Sequence, residues 1–239
     1  SVKGEVVQLP VAVQTNRTYS ATQAGLNIMF DEWSKEYPGM ESSVYLRELS
    51  GRGLSVERGS GSAKYVASVA KLFIAHYLLA NISDLNQPAY DGRSYADCID
   101  AMIRVSDNTC PERIRESLGV NTINNYARGQ GFGSVNVGNY VASARDVGVF
   151  LERLNAGSLL DPSKSAQIIN PMWSQIFRSG IPAGSAGSSV ADKPGFYGDV
   201  WTDAAIVQSP GSTYVLVILT KGGGSVAVKT LAQRVQQTL

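Results

Sequence analysis

Histidine is almost missing from this sequence. His76 is the only one in 239 residues, and the cysteines are two, Cys98 and Cys110. A zinc enzyme of the usual kind needs several such ligands, so the composition argues against catalytic zinc and points to no other metal or cofactor. A serine–histidine–aspartate triad would have to use His76, which lies within a nearly continuous apolar segment. Hydrolytic chemistry here therefore needs a different base. Charge is also scarce, at 17% of residues against a usual ~25%. The 21 basic and 20 acidic residues leave a net charge of +1. A nucleic-acid partner would call for a basic excess or stripe, and neither is present. No apolar run reaches the ~18 residues of a transmembrane segment. The first residues, Ser-Val-Lys-Gly-Glu, hold no charged segment followed by an apolar one, so no secretory signal is read there.

What is present is ordinary globular material. Hydrophobic residues make up 44%, which is too many for a disordered chain and enough to bury a core in one domain. Residues 5–13 read as an extended lead-in. Leu26, Met29, Phe30 and Trp33 give helical spacing from Ser20, a candidate N-cap, to about Lys35. Residues 43–49 alternate like a strand, Gly51 and Gly53 make a turn, and 54–59 return. Residues 66–82 are apolar on nearly every face and read as a buried central helix. Four helical patterns follow at 94–105, 111–118, 121–130 and 143–155. Between the last two lies a glycine-rich loop with Gly129, Gly131, Gly133 and Gly138. Its spacing looks phosphate-like, but no strand precedes it and no G-K-[ST] follows, so nucleotide binding is not read from it. Strands return at 190–196, 200–208 and 213–220, the last two joined by a Ser-Pro-Gly-Ser hairpin signal. A helix at 226–238 ends the chain. Strands at both ends with helices between predict one sheet built from both ends, with an inserted helical lobe and a cleft between them.

Three short motifs occur in order. Ser68-Val69-Ala70-Lys71 is S-x-x-K, a pattern that chance alone supplies about once in a chain of this size. Its setting is more telling than its occurrence. Lys71 is the only formally charged residue between Lys64 and Asp84, and a lysine desolvated there gains a lowered pKa, as a general base at neutral pH requires. The bland alternative is a lysine that snorkels to solvent. Ser106-Asp107-Asn108 is S-D-N, which also suits a helix N-cap with Pro111 close behind. Lys193-Pro194-Gly195 is a turn signature that also matches K-[ST]-G with its middle residue changed. The two cysteines permit one disulfide without requiring it, and two buried thiols fit as well.

Taken in order, these motifs resemble those of the serine penicillin-recognising enzymes, the class A β-lactamases and the D-Ala-D-Ala peptidases among the penicillin-binding proteins. The likeness runs from about Ser20 to Leu239. It implies an α+β fold, with an antiparallel sheet flanked by helices, an inserted all-helical lobe and the active site between the lobes. It divides a single domain, 1–239, into a sheet lobe (about 1–64 plus 180–239) and a helical lobe (about 65–179). It implies Ser68 as nucleophile, Lys71 as its base and Ser106 as proton donor to the leaving nitrogen. Asn108 would hold a substrate amide and Lys71, and Lys193 with Gly195 would serve substrate binding. The N–H groups of Ser68 and Phe196 would form the oxyanion hole. It further implies no cofactor, a β-lactam or peptidoglycan stem peptide as substrate, an extracytoplasmic location and hence a Cys98–Cys110 disulfide.

Two departures qualify the likeness. Class A β-lactamases carry a loop glutamate after S-D-N that activates the deacylating water, and no Asp or Glu lies between Glu116 and Asp146. Pro194 has neither the hydroxyl nor the N–H of the family's Ser or Thr. The expected enzyme acylates but hydrolyses β-lactams poorly. The competing expectation is a degraded module that binds a cell-wall fragment or a protein without turnover.

Overall fold

The computed structural model describes residues 11–239, with side chains from Tyr19 onward. In chain order its helices and strands begin with α1 (Val11–Glu36), β1 (Glu41–Glu48), β2 (Ser55–Arg58) and β3 (Ala63–Tyr65). A 3₁₀ turn (Ala67–Ala70) leads into α2 (Lys71–Asn81), and a small hairpin, β4 (Pro88–Tyr90) and β5 (Arg93–Ser94), follows. Then come α3 (Tyr95–Arg104), α4 (Thr109–Leu118), α5 (Val120–Gly129), β6 (Val141–Ser143), α6 (Ala144–Asn155), α7 (Pro162–Trp173) and α8 (Ile181–Gly184). The chain closes with β7 (Ser189–Tyr197), β8 (Val200–Ser209), β9 (Ser212–Lys221) and α9 (Gly224–Thr238).

The largest sheet among the described residues has five antiparallel strands in the order β2-β1-β9-β8-β7. Its ends come from opposite ends of the chain, joined where β1 pairs with β9 from Glu41↔Lys221 to Glu48↔Tyr214. The fold is α+β, an antiparallel sheet flanked by helices. Strand parity divides the core. Tyr214, Leu216 and Ile218 pack on one face with Leu26, Phe30 and Trp33 of α1 and Leu231 and Val235 of α9. Val215, Val217 and Leu219 pack on the other with α2, α3 and α6. Both faces of β9 are thus covered, which explains a strand that reads as a continuous apolar run rather than an alternating one. Trp33 Nε1 donates to the Ala227 carbonyl at 2.9 Å and fastens α1 to α9.

Helix starts follow side-chain chemistry. Ser94, Ser143 and Asp161 each accept a backbone N–H three residues on, at the starts of α3, α6 and α7, each satisfying an orphan donor. Several sequence expectations need correction. Residues 5–10 of the expected lead-in lie outside the described residues, but Val11–Val13 already belong to α1, so Ser20 is inside a helix and caps nothing. No proline interrupts the span from Val11 to Glu36, so nothing stops the helical pattern at Ser20. The segment 66–82 is not one helix, because Ala67–Ala70 is a 3₁₀ turn and the α-helix starts at Lys71. The glycine-rich loop is a connection: Gly131 takes φ +97°, and the Asn124 side chain receives the Val137 N–H at 2.8 Å. No helix among the described residues is long and apolar enough to cross a membrane.

Candidate active site

A cavity of about 500 Å³ opens between the 3₁₀ turn, the α3–α4 connection and the end of β7, and Ser68, Ser106, Asn108 and Phe196 all line it. Three non-glycine residues on its wall have positive φ: Ala67 at 48°, Ser106 at 56° and Tyr140 at 56°. Each costs about 1–3 kcal/mol, and each stands where the backbone turns sharply to present a side chain. Ala67 immediately precedes Ser68, in a tight turn with i, i+3 geometry that stacks Lys71 over Ser68. The Val66 N–H donates to the Tyr140 carbonyl at 2.8 Å, and the Val66 carbonyl accepts the Thr202 hydroxyl at 2.9 Å, so the residue leading into the turn is held from both sides.

Lys71 is buried, with 1% of its surface exposed. Its ammonium donates to Asn108 Oδ1 at 2.7 Å, to the Ser106 carbonyl at 2.8 Å and to Ser106 Oγ at 3.1 Å. Lys193 is fully buried, and its Nζ reaches Ser106 Oγ at 3.1 Å and the Pro194 carbonyl at 3.0 Å. Ser106 Oγ therefore bridges two lysines. Burial, aided by the Arg115 charge and opposed by Asp107, brings Lys71 down to about 8. Burial, then the neighbouring Lys71 charge, brings Lys193 down to about 7, against the pull of Asp192 and Asp203. Two ammonium groups around one hydroxyl in a dry site compete to stay charged. Ser68 Oγ makes no hydrogen bond to Lys71 in this arrangement; Lys71 is one turn away and held by the S-D-N residues instead.

The three residues of S-D-N divide the work. Ser106 meets both lysines and Asn108 meets Lys71, while Asp107 accepts the Cys110 N–H at 2.7 Å in the first turn of α4. The N-cap reading thus fits Asp107. Cys98 and Cys110 are joined in a disulfide, Cα to Cα 5.5 Å, which ties α3 to α4 on either side of the motif.

Among the described residues, strand β7 is an edge strand, paired only with β8. That is why Pro194, without an N–H, is tolerated in it. Gly195 is required by contact, since a Cβ there would lie 2.6 Å from the Val66 carbonyl, 2.7 Å from the Ser68 nitrogen and 2.8 Å from Thr202 Oγ1. Phe196 stacks on Trp201, with ring centroids 5.4 Å apart, and meets Phe177 edge-on at 5.5 Å. Behind Lys193, on the other face of β7, Asp192 and Asp203 are diagonal neighbours across the β7–β8 register and both are buried. Burial raises both carboxyls, Asp203 to about 6, and the Asp203 charge raises Asp192 further.

His76 lies in the core among Tyr126, Phe132 and Phe150. Burial lowers it to about 4, so it stays neutral.

Residues 85–239 match the sequence profile of the β-lactamase enzyme family. The chain belongs to that family. Its members are serine hydrolases and penicillin-binding enzymes, and this chain shares their fold. It superposes on PBP-A with a TM-score of 0.76 at 21% identity, over 91% of this chain and 95% of that one. A mutant of PBP-A, solved as an acyl-enzyme complex with penicillin G, superposes equally well, with TM-score 0.76, 21% identity and the same coverage of 91% and 95%. The ancestral class A β-lactamase of Gram-negative bacteria gives a TM-score of 0.80 at 18% identity, over 90% of this chain and all of that one. No curated protein matches by sequence.

The sequence reading missed several residues of this candidate site. Tyr65, Glu112, Arg115, Tyr140, Phe177 and Tyr197 also line the cavity. Only Glu112 and Arg115 carried a usable signal, because they follow Asn108 at helical spacing. The aromatic residues come from loops and strand ends with no periodicity to expose them.

Proposed function

We propose that this chain is a serine acyl-transfer enzyme of the β-lactamase family, acylated by β-lactams or by peptidoglycan stem peptides and slow to release a β-lactam acyl group. The observation that carries the reading is the web in which Lys71, Ser106, Asn108 and Lys193 converge one turn from Ser68.

Ser68 Oγ attacks the carbonyl carbon, and its proton passes toward neutral Lys71. The tetrahedral oxyanion is received by the backbone N–H groups of Ser68 and Phe196. The closeness of Gly195 to the Ser68 nitrogen supports this role. As the carbonyl–nitrogen bond breaks, Ser106 passes a proton to the leaving nitrogen and is resupplied by the lysine pair. Asn108 holds the substrate amide and fixes Lys71, and Lys193 with its charge draws a substrate carboxylate. Water then attacks the ester. The loop bordering the cavity supplies Tyr140 and no carboxylate, so water finds no base from that loop.

The alternative of a binding module without turnover rests on Pro194 and that missing loop acid. A lysine brought to about 8 counts against it, since a degraded site has no reason to retain such a group. The disulfide suits an oxidising, extracytoplasmic setting.

The test is intact mass over time with penicillin G and with a chromogenic cephalosporin. A long-lived adduct on Ser68, absent in Ser68→Ala, is the expected result. Labelling of Ser68→Ala at the wild-type rate would overturn the nucleophile, and steady turnover would overturn the slow second half.

A further inference from the structure

We propose that Glu112 is a specificity-determining residue that selects acyl donors whose side chain carries an ammonium group. The proposal rests on the serine-acylation reading above and adds a substrate class to it.

Helix α4 starts directly after S-D-N. Asn108, Glu112 and Arg115 are four and three residues apart and so share a helix face, and all three line the cavity that holds Ser68. Arg115 is already committed. Its Nε donates to the Pro111 carbonyl at 3.2 Å, its Nη1 donates to the carbonyls of Val137 at 2.9 Å and Gly138 at 3.2 Å, and its guanidinium lies 4.8 Å from the Tyr140 ring centroid. Glu112 has no ion pair and no side-chain hydrogen bond among the described residues, and it is the only acid on the cavity wall. Much of the remaining wall is aromatic: Tyr65, Tyr140, Phe177, Phe196 and Tyr197. Ring faces attract cations, as Arg115 over Tyr140 already illustrates.

An uncompensated carboxylate in an aromatic cavity is chemistry for an ammonium ion. The spacing suits one substrate geometry. Glu112 is one helical turn from Asn108, about 6 Å along the axis. An amide held at Asn108 would place an amine on the adjacent carbon within reach of the Glu112 carboxylate. A substrate bearing a second carboxylate at that point would be repelled.

Penicillin G and ampicillin differ by one amino group on the carbon next to the side-chain amide, which makes them the probes. The readout is the ratio of their second-order acylation constants in wild type, Glu112→Gln and Glu112→Lys. Glu112 is exposed, so both variants keep the fold. The expected result is a ratio favouring ampicillin, falling about three- to tenfold in Glu112→Gln and reversing in Glu112→Lys. An unchanged ratio in both variants overturns the proposal. So does a Glu112→Gln variant that releases both acyl groups more slowly with the ratio intact, which would make Glu112 a base toward water. If neither penicillin acylates the wild type, the serine-acylation reading fails by itself. Calorimetry with Ser68→Ala then decides the proposal, using D-alanyl peptides in which the residue joined to D-alanine carries a free or an acetylated α-amine. Tighter binding of the free amine, lost in Ser68→Ala/Glu112→Gln, upholds it, and equal binding overturns it.

Discussion

A methyl group on Gly195 would stand 2.7 Å from the backbone nitrogen of Ser68. The edge strand and the turn that bears Ser68 are therefore pressed together with no room for a side chain between them. The Thr202 hydroxyl stitches the same seam, donating to the Val66 carbonyl at 2.9 Å and the Gly195 carbonyl at 3.0 Å.

Gly195→Ala is therefore expected to push β7 off the turn. Overpacking of this kind costs about 1–3 kcal/mol, visible as a lowered Tm. Acylation is expected to fall further than stability, by about a hundredfold, the cost of one lost oxyanion donor. Parallel thermal unfolding and acylation rates check this; a variant that acylates at the wild-type rate contradicts the seam as part of the oxyanion site.

The pH dependence of acylation follows from the lysine pair. Lys71 must be neutral to accept a proton, and it gives its own up near 8 rather than near its usual value. Acylation is expected to rise with pH toward about 8 as Lys71 becomes neutral, and the loss of charge on Lys193 near 7 is expected to offset the early part of that rise. Lys193→Ala removes the group that loses charge near 7 and is expected to take the lower inflection out of the profile while the rise near 8 stays in place. Stopped-flow acylation across pH measures both, and a lower inflection that survives in the variant would deny that Lys193 sets it.

The disulfide brackets the S-D-N motif, so its removal bears on the site as well as on stability. Closing a short loop of this kind is worth about 2–4 kcal/mol. Cys98→Ala/Cys110→Ala is expected to lower the Tm and to slow acylation through looser placement of Ser106. If the double variant acylates normally at low temperature, the bridge serves stability alone.

The buried pair Asp192 and Asp203 has the opposite sign from an ordinary salt-bridged acid. A carboxyl raised in the folded state binds its proton more tightly there than in the unfolded chain, so its contribution to stability is present at low pH and is lost as pH rises through the folded value. For Asp203 that window runs from near 4, the ordinary value, up to about 6. Asp192→Asn removes a buried carboxyl that is itself raised by burial and by the Asp203 charge, and is expected to flatten the fall in stability as pH rises. Denaturant unfolding at both ends of the window reads it out, and an unchanged slope would mean that Asp192 contributes nothing to the fall.

Much of this protein can be read from the residues alone. The hairpin of β8 and β9, the helices α3, α4, α5 and α6 and the order of S-x-x-K, S-D-N and K-x-G follow from local rules: turn chemistry, capping and 3.6-residue spacing. These depend on neighbours in the chain. The break at Ala70 between the 3₁₀ turn and α2 does not, because the positive φ at Ala67 is imposed by Tyr140 and Thr202, which hold Val66 from distant segments. The two lysines on one hydroxyl, the pressed contact at Gly195, the aromatic wall and the unpaired Glu112 also arise only when the sheet and the helices close on each other. The motifs name residues that can do chemistry. Their pKa values, spacing and selectivity come from burial and long-range packing, which no local pattern encodes.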